Sequence, residues 1–197
     1  MKSSSFAFLA ALALAAPALA QTQTTTTDTW RMPYERGFWG HAGISVGRGE
    51  LDADCPTGFG CDLRDHRVWR AYAGGRFNNA IGLELGALNI GDYRRGGGVT
   101  DGWGIDLALV AGIPIGANSA IFGKLGGIYA RTEVTGDAPG FNTGKERDTG
   151  LRFGVGAQIG FTEKWALRAD WDRYDLPLPG GRDELDVFML GVQYTFR

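Results

Sequence analysis

Residues 187–197, VFMLGVQYTFR, alternate with a period of two. One face carries Phe188, Leu190, Val192, Tyr194 and Phe196. The other carries Met189, Gly191, Gln193 and Thr195. That period specifies a β-strand, because successive side chains leave a strand on opposite faces. An apolar face ending in aromatics fits two architectures. A soluble barrel turns such a face inward, whereas a membrane barrel turns it toward lipid and sets aromatics at the interface.

The beginning of the chain bears on compartment. Lys2 supplies a positive charge, residues 6–14 form an apolar run, and Ala18-Leu19-Ala20 precedes Gln21. This is the pattern of a cleaved signal peptide over residues 1–20. The run is followed by Pro17 and is too short for a spanning helix, which needs roughly 20 apolar residues. Downstream there is no apolar run of that length, so any membrane crossing is expected to use strands. Residues 21–36, with four consecutive threonines, read as a flexible N-terminal segment, and residues 37–197 as one barrel domain.

Composition narrows the class. The net charge of −2 suggests no nucleic-acid partner. Thirty-two glycines against seven prolines suit tightly curved strands with small inward residues. The only cysteines, Cys55 and Cys61, lie in the turn-rich CPTGFGC, where one disulfide stapling a loop is the default reading in an exported protein.

Eight strands are expected, at residues 38–47, 68–77, 81–90, 103–113, 120–131, 150–161, 165–173 and 187–197. Each is near the length a tilted spanning strand requires. The connections at 78–80, 114–119 and 162–164 are short, and those at 48–67, 91–102, 132–149 and 174–186 are long. Alternating short and long connections belong on opposite rims of an up-and-down barrel, as in outer-membrane barrels. The face opposite the apolar one carries Arg70, Arg76, Glu84, Asp106, Lys124, Arg152, Arg168, Asp170 and Asp172. An eight-stranded barrel holds only side chains inside, so these charges are expected to pair in an interior network. Most aromatics, among them Trp39, Trp103, Tyr129, Trp165, Trp171 and Tyr194, fall near strand ends, as an interfacial girdle requires.

The segments WRAYAGGRFN (69–78), IGLELG (81–86), IFGKLG (121–126), GVGAQ (154–158) and LGVQYTF (190–196) resemble the eight-stranded outer-membrane β-barrels of the OmpA-like transmembrane domain group. That group includes the small OmpX/Ail and opacity-type proteins. The likeness runs over residues 37–197 and rests on order and spacing. It implies an all-β, antiparallel, up-and-down transmembrane barrel in the outer membrane of a Gram-negative bacterium. It also implies that Glu84 and Lys124 join an interior salt-bridge network. Two departures stand out: Arg197 follows the terminal aromatic, and a peptidoglycan-binding module after the barrel is not expected, so a tethering role is not implied.

No catalytic, cofactor or metal site is expected. His41 falls on an inward face without an indicated catalytic partner, and His66 falls in the first long connection. The pair Asp170 and Asp172 is better explained by Arg168 and Arg152 beside it than by glycoside hydrolysis. Three glycines at 96–98 lack the strand-to-helix setting of a phosphate loop. The expected function is structural, with a surface displayed on four loops that serve adhesion or host-factor binding. A narrow pore for small solutes and a soluble secreted ligand-binding barrel are the alternatives. The expected partners are outer-membrane lipid, the barrel-insertion machinery acting on the C-terminal strand, and a surface partner at the loops.

Overall fold

The computed structural model describes residues 39–52, 61–62, 66–78, 80–95, 98–115, 119–136, 144–178 and 181–196. The expected signal peptide, the threonine-rich segment, Cys55 and Arg197 lie outside them, as does the side chain of Cys61.

Eight long strands and one two-residue strand follow in order: β1 (Trp39–Asp52), β2 (Cys61–Asp62), β3 (His66–Arg76), β4 (Ile81–Arg95), β5 (Gly98–Pro114), β6 (Ala120–Gly136), β7 (Gly144–Gly160), β8 (Trp165–Leu178) and β9 (Gly181–Phe196). Each long strand pairs antiparallel with its neighbours in sequence, and β1 pairs with β9 to close the sheet. The short β2 hangs on the outer end of β4 through Cys61 and Asp62. The result is a closed eight-stranded up-and-down barrel.

Pairing fixes its geometry. Following register partners from Gly104 on β5 through Leu88, Arg70, Ser45, Gly191, Arg168, Gln158 and Ala120 returns to β5 at Pro114. The stagger from residue 104 to residue 114 is a shear of ten. At about 3.3 Å per residue and about 4.8 Å between strands, this tilts the strands by roughly 40°. Side-chain oxygens shape two of the short turns. Asn78 Oδ1 accepts from the N–H groups of Ala80 (2.8 Å) and Ile81 (2.6 Å). Thr162 Oγ1 accepts from those of Lys164 (3.3 Å) and Trp165 (2.9 Å). These are local turn-forming bonds of the kind Asn and Thr favour.

The long connections differ from expectation. Residues 91–95 and 98–102 are strand, as are 132–136, 144–149, 174–178 and 181–186. Three of the four stretches expected as loops are thus mostly extended hairpins. Strand β1 also runs on to Asp52.

The reason is visible along β9. Its outward series is Arg182, Glu184, Asp186, Phe188, Leu190, Val192, Tyr194, Phe196. Its inward series is Asp183, Leu185, Val187, Met189, Gly191, Gln193, Thr195. Between Asp186 and Phe188 the outside changes from charged to apolar; the inside changes in the opposite sense between Met189 and Gly191. The same switch on the outer face occurs between Val46 and Arg48, Trp69 and Arg67, Ala87 and Asn89, Trp103 and Asp101, Tyr129 and Arg131, Leu151 and Thr149, and Trp171 and Arg173. On β5 the apolar outer face runs from Ile113 to Trp103, which at this tilt covers roughly 25 Å, the height of the apolar band of such barrels. The remaining residues of β5, Gly98–Gly102, reach about 13 Å further on the long-loop side.

Beyond the switch the barrel is built like a soluble protein. Leu51, Val68, Leu88, Ile90, Tyr93, Ile128, Ala130, Tyr174, Leu176, Leu185, Val187 and Met189 form one buried apolar cluster inside it. On β4 the transition coincides with a β-bulge at Gly91, whose φ of 79° no β-branched residue would adopt readily. The bulge shifts the phase by one residue, so that Tyr93 points inward after Ile90. The Asn89 Oδ1 braces it by accepting from the Gly91 N–H at 3.1 Å.

Candidate functional site

Below the apolar cluster, at the level of the membrane, the lumen is filled by charge. Eight buried side chains form a closed ring in which cations and anions alternate. Arg168 grips Glu84 (2.6 Å from Nη1) and Asp170 (2.9 Å from Nε). Lys124 Nζ lies 2.7 Å from both Asp170 and Asp172. Arg152 reaches Asp172 at 3.1 Å and also pairs with Asp106. Arg70 donates to Asp106 through Nε (3.0 Å) and Nη2 (2.8 Å) and reaches Glu84 at 2.9 Å, which closes the circle.

None of the eight is more than 3% exposed. An isolated ion here would cost several kcal/mol, and alternation is what gives each ion partners of opposite sign. Four strands, β3 to β6, contribute one member each; β7 gives Arg152 and β8 gives Arg168, Asp170 and Asp172. Aromatic faces complete the packing. The Arg168 guanidinium lies 4.5 Å from the ring centroids of both Tyr72 and Phe122, and that of Arg152 lies 5.2 Å from Tyr174. Glycines leave the space. A Cβ at Gly86 would fall on the Arg70 guanidinium and the Asp106 carboxylate, and one at Gly156 on Phe122 and Asp170.

A polar layer continues toward the short turns. Gln193 Oε1 accepts from Arg168 Nη1 at 3.1 Å, and Gln158 Oε1 accepts from Arg76 Nη2 at 3.3 Å. His41 is buried with Nε2 at 3.6 Å from Glu84.

The structure thus brings together Arg70, Glu84, Asp106, Lys124, Arg152, Arg168 and Asp170, with Asp172 as the eighth member. Arg76 is half-buried and stands outside the ring. Glu84 and Lys124 do not touch; Arg168 and Asp170 stand between them. Sequence reasoning missed the apolar cluster above the ring. Its signal lies in the inward series Tyr174, Leu176 and Leu185, which alternates with charges within the long connection expected at 174–186.

The aromatics separate into two rows. Trp69, Trp103, Tyr129 and Phe188 are exposed at the long-loop edge of the apolar band. At the short-turn edge, Trp165 packs edge-on to Tyr194 (4.9 Å) and Tyr194 to Phe196 (5.0 Å). Beyond the upper row, ion pairs lace the outer face. Arg173 binds Asp186 through Nε (2.7 Å) and Nη2 (2.6 Å), and Arg182 bridges Asp175 and Asp148, each at 2.7 Å. The Asp148 carboxyl also accepts from the Thr149 N–H at 2.8 Å. This bond, with Arg182, holds it below the ordinary aspartate range.

Comparison with known proteins agrees with this geometry. Residues 6–196 match the model of a family described as the outer membrane protein beta-barrel domain. Outer membrane protein A of Yersinia pseudotuberculosis is 26% identical over 140 residues, and that of Shigella flexneri 29% over 136; each alignment takes in 64% of this chain. The chain spans 39% of the length of these relatives. Among solved structures, the fold is similar to Neisserial surface protein A (TM-score 0.56, 13% identity, 80% of this chain and 96% of that one). It is also similar to Ail, the attachment invasion locus protein of Yersinia pestis (TM-score 0.53, 17% identity, 81% and 97%). An apolar band outside, paired charge inside and a family match over nearly the whole length lead to one assignment: the chain belongs to the outer membrane protein β-barrel domain family and is a barrel of the Gram-negative outer membrane.

Proposed function

We propose that this protein is a structural, non-enzymatic outer-membrane barrel that carries a rigid display platform outside the membrane, and that adhesion or host-factor binding resides on that platform's outer face. The observation that carries this reading is the polarity switch found on all eight long strands. A barrel serving only to span the bilayer needs no strand beyond the apolar band. Here the strands continue, acquire their own apolar core and present charge outward, which is how a binding surface is held on a scaffold. Ail, similar in fold, is named for attachment and invasion, which makes adherence the first activity to assay. The insertion machinery would act on β9, whose outward Tyr194 and Phe196 form its aromatic end.

The test has two parts. In a background with Cys55 and Cys61 replaced by serine, an impermeant maleimide should label Thr135→Cys on intact cells and Lys164→Cys only after disruption. Cells displaying the wild type should adhere to epithelial monolayers more than non-expressing cells. A variant with Asp101→Asn, Glu133→Gln and Glu184→Gln should lose that gain. Equal adherence with and without the protein would remove the binding role and leave the structural one.

The narrow pore finds no favourable feature in the described lumen, where the charged ring and the apolar cluster lie in series. Planar-bilayer recording should give no conducting steps, and steady ion-selective conductance would reinstate the pore.

A further inference from the structure

At the outer edge of the apolar band two arginines oppose each other. Arg131 on β6 and Arg147 on β7 are direct register partners. Both belong to the outward series of their strands, so their Cβ atoms stand about 5 Å apart. Neither makes an ion pair or hydrogen bond among the described residues. The carboxylates one row above do not relieve them: Glu133 holds Lys145 at 2.9 Å, and Asp101 lies in register with Glu133. Like charges directly opposite on a sheet destabilise it.

The surroundings identify what would sit between them. Trp103 is the register partner of Arg131 on its other side and is 44% exposed. Tyr129, one row below, is 45% exposed, and Leu151 below Arg147 is 69% exposed. The pair therefore crowns a lipid-facing wall at headgroup depth. Two guanidiniums side by side offer forked donors that match the oxygens of a phosphate and neutralise its second charge. A soluble anion would use the guanidiniums but leave the wall beneath uncovered; the chains of a lipid cover it.

We propose that Arg131 and Arg147 form a binding site for the phosphate monoester of an outer-leaflet lipid, with Trp103, Tyr129 and Leu151 as the wall along which its apolar part lies. The proposal needs only the membrane orientation and stands apart from any adhesive role.

The test uses the mature protein refolded into phosphatidylcholine vesicles alone, or containing a minor fraction of phosphatidic acid or of phosphatidylglycerol. The urea midpoint should rise more with phosphatidic acid, a phosphate monoester, than with phosphatidylglycerol, a diester. Arg131→Gln and Arg147→Gln should each abolish that difference and weaken phosphatidic acid binding roughly tenfold, while Arg94→Gln should retain it. In phosphatidylcholine alone the same two substitutions should be neutral or stabilising, because they relieve repulsion; a merely structural role would make them destabilising in every lipid. Arg147 lies on an exposed stretch of β7, so its variant keeps the test open should Arg131→Gln fail to fold. A wild-type response in both glutamine variants would overturn the site. An equal rise from inorganic phosphate added to phosphatidylcholine vesicles would overturn the lipid assignment.

Discussion

Arg168→Met is the sharpest test of the interior ring. Arg168 contacts Glu84, Asp170 and Gln193 and lies between the rings of Tyr72 and Phe122. Its removal leaves Glu84 with Arg70 and His41, and Asp170 with Lys124. Breaking one buried pair typically costs about 3–5 kcal/mol. Here two carboxylates lose a partner but each keeps another, so a loss of about 4 kcal/mol is expected. Pairing the change with Glu84→Gln removes one stranded charge and should recover about 1–3 kcal/mol, the usual range of coupling between groups in contact. Lys124→Met with Glu84→Gln probes residues three links apart, so its coupling should be smaller but of the same sign. Urea titration in lipid vesicles, read by gel mobility of folded and unfolded forms without boiling, gives all these values. Additivity of Arg168→Met and Glu84→Gln would refute the ring as an energetic unit. A Glu84–Lys124 coupling larger than the Glu84–Arg168 coupling would refute its order.

Leu107→Arg, on the outward face of β5 between Leu85 and Gly127, should destabilise the barrel by roughly 2–4 kcal/mol in a bilayer refolding titration. Leu176→Ala, in the apolar cluster outside the membrane, should cost about 2–4 kcal/mol in the same assay; a loop residue at that position would give almost nothing. Because the folded Asp148 pKa is depressed, its contribution is complete above the ordinary aspartate pKa of about 4 and is lost as pH falls through the lower folded value. Amide exchange at the tips of β7 and β9 should therefore quicken only in strong acid, and Asp148→Asn should remove that acid-dependent change.

The barrel was legible in sequence because period two with one apolar face persisted for about ten residues on each strand. The charged members of the ring were legible because they fell in the opposite phase. Their order was not. Glu84 and Lys124 share a layer, but which cation meets which anion depends on a shear of ten that no single strand records. The extended hairpins escaped notice for a different physical reason. At residues 182–187 the alternation continues, but its sign reverses where lipid gives way to water, so an apolar-out template finds only charges. The bulge at Gly91 hid the same signal on β4 by moving Tyr93 into the phase that Asp92 would otherwise occupy.

The polarity switch is the central claim, and a scan along β5 tests it most directly. In the background lacking Cys55 and Cys61, single cysteines at Leu109, Leu107, Ile105, Trp103, Asp101 and Val99 would carry a fluorophore in vesicles. Each would be challenged with a lipid-borne and a water-soluble quencher. The structure predicts lipid quenching from Leu109 to Ile105, a crossover between Trp103 and Asp101, and water quenching at Asp101 and Val99. Lipid quenching that persists to Val99 would place the extension inside the membrane and contradict the account.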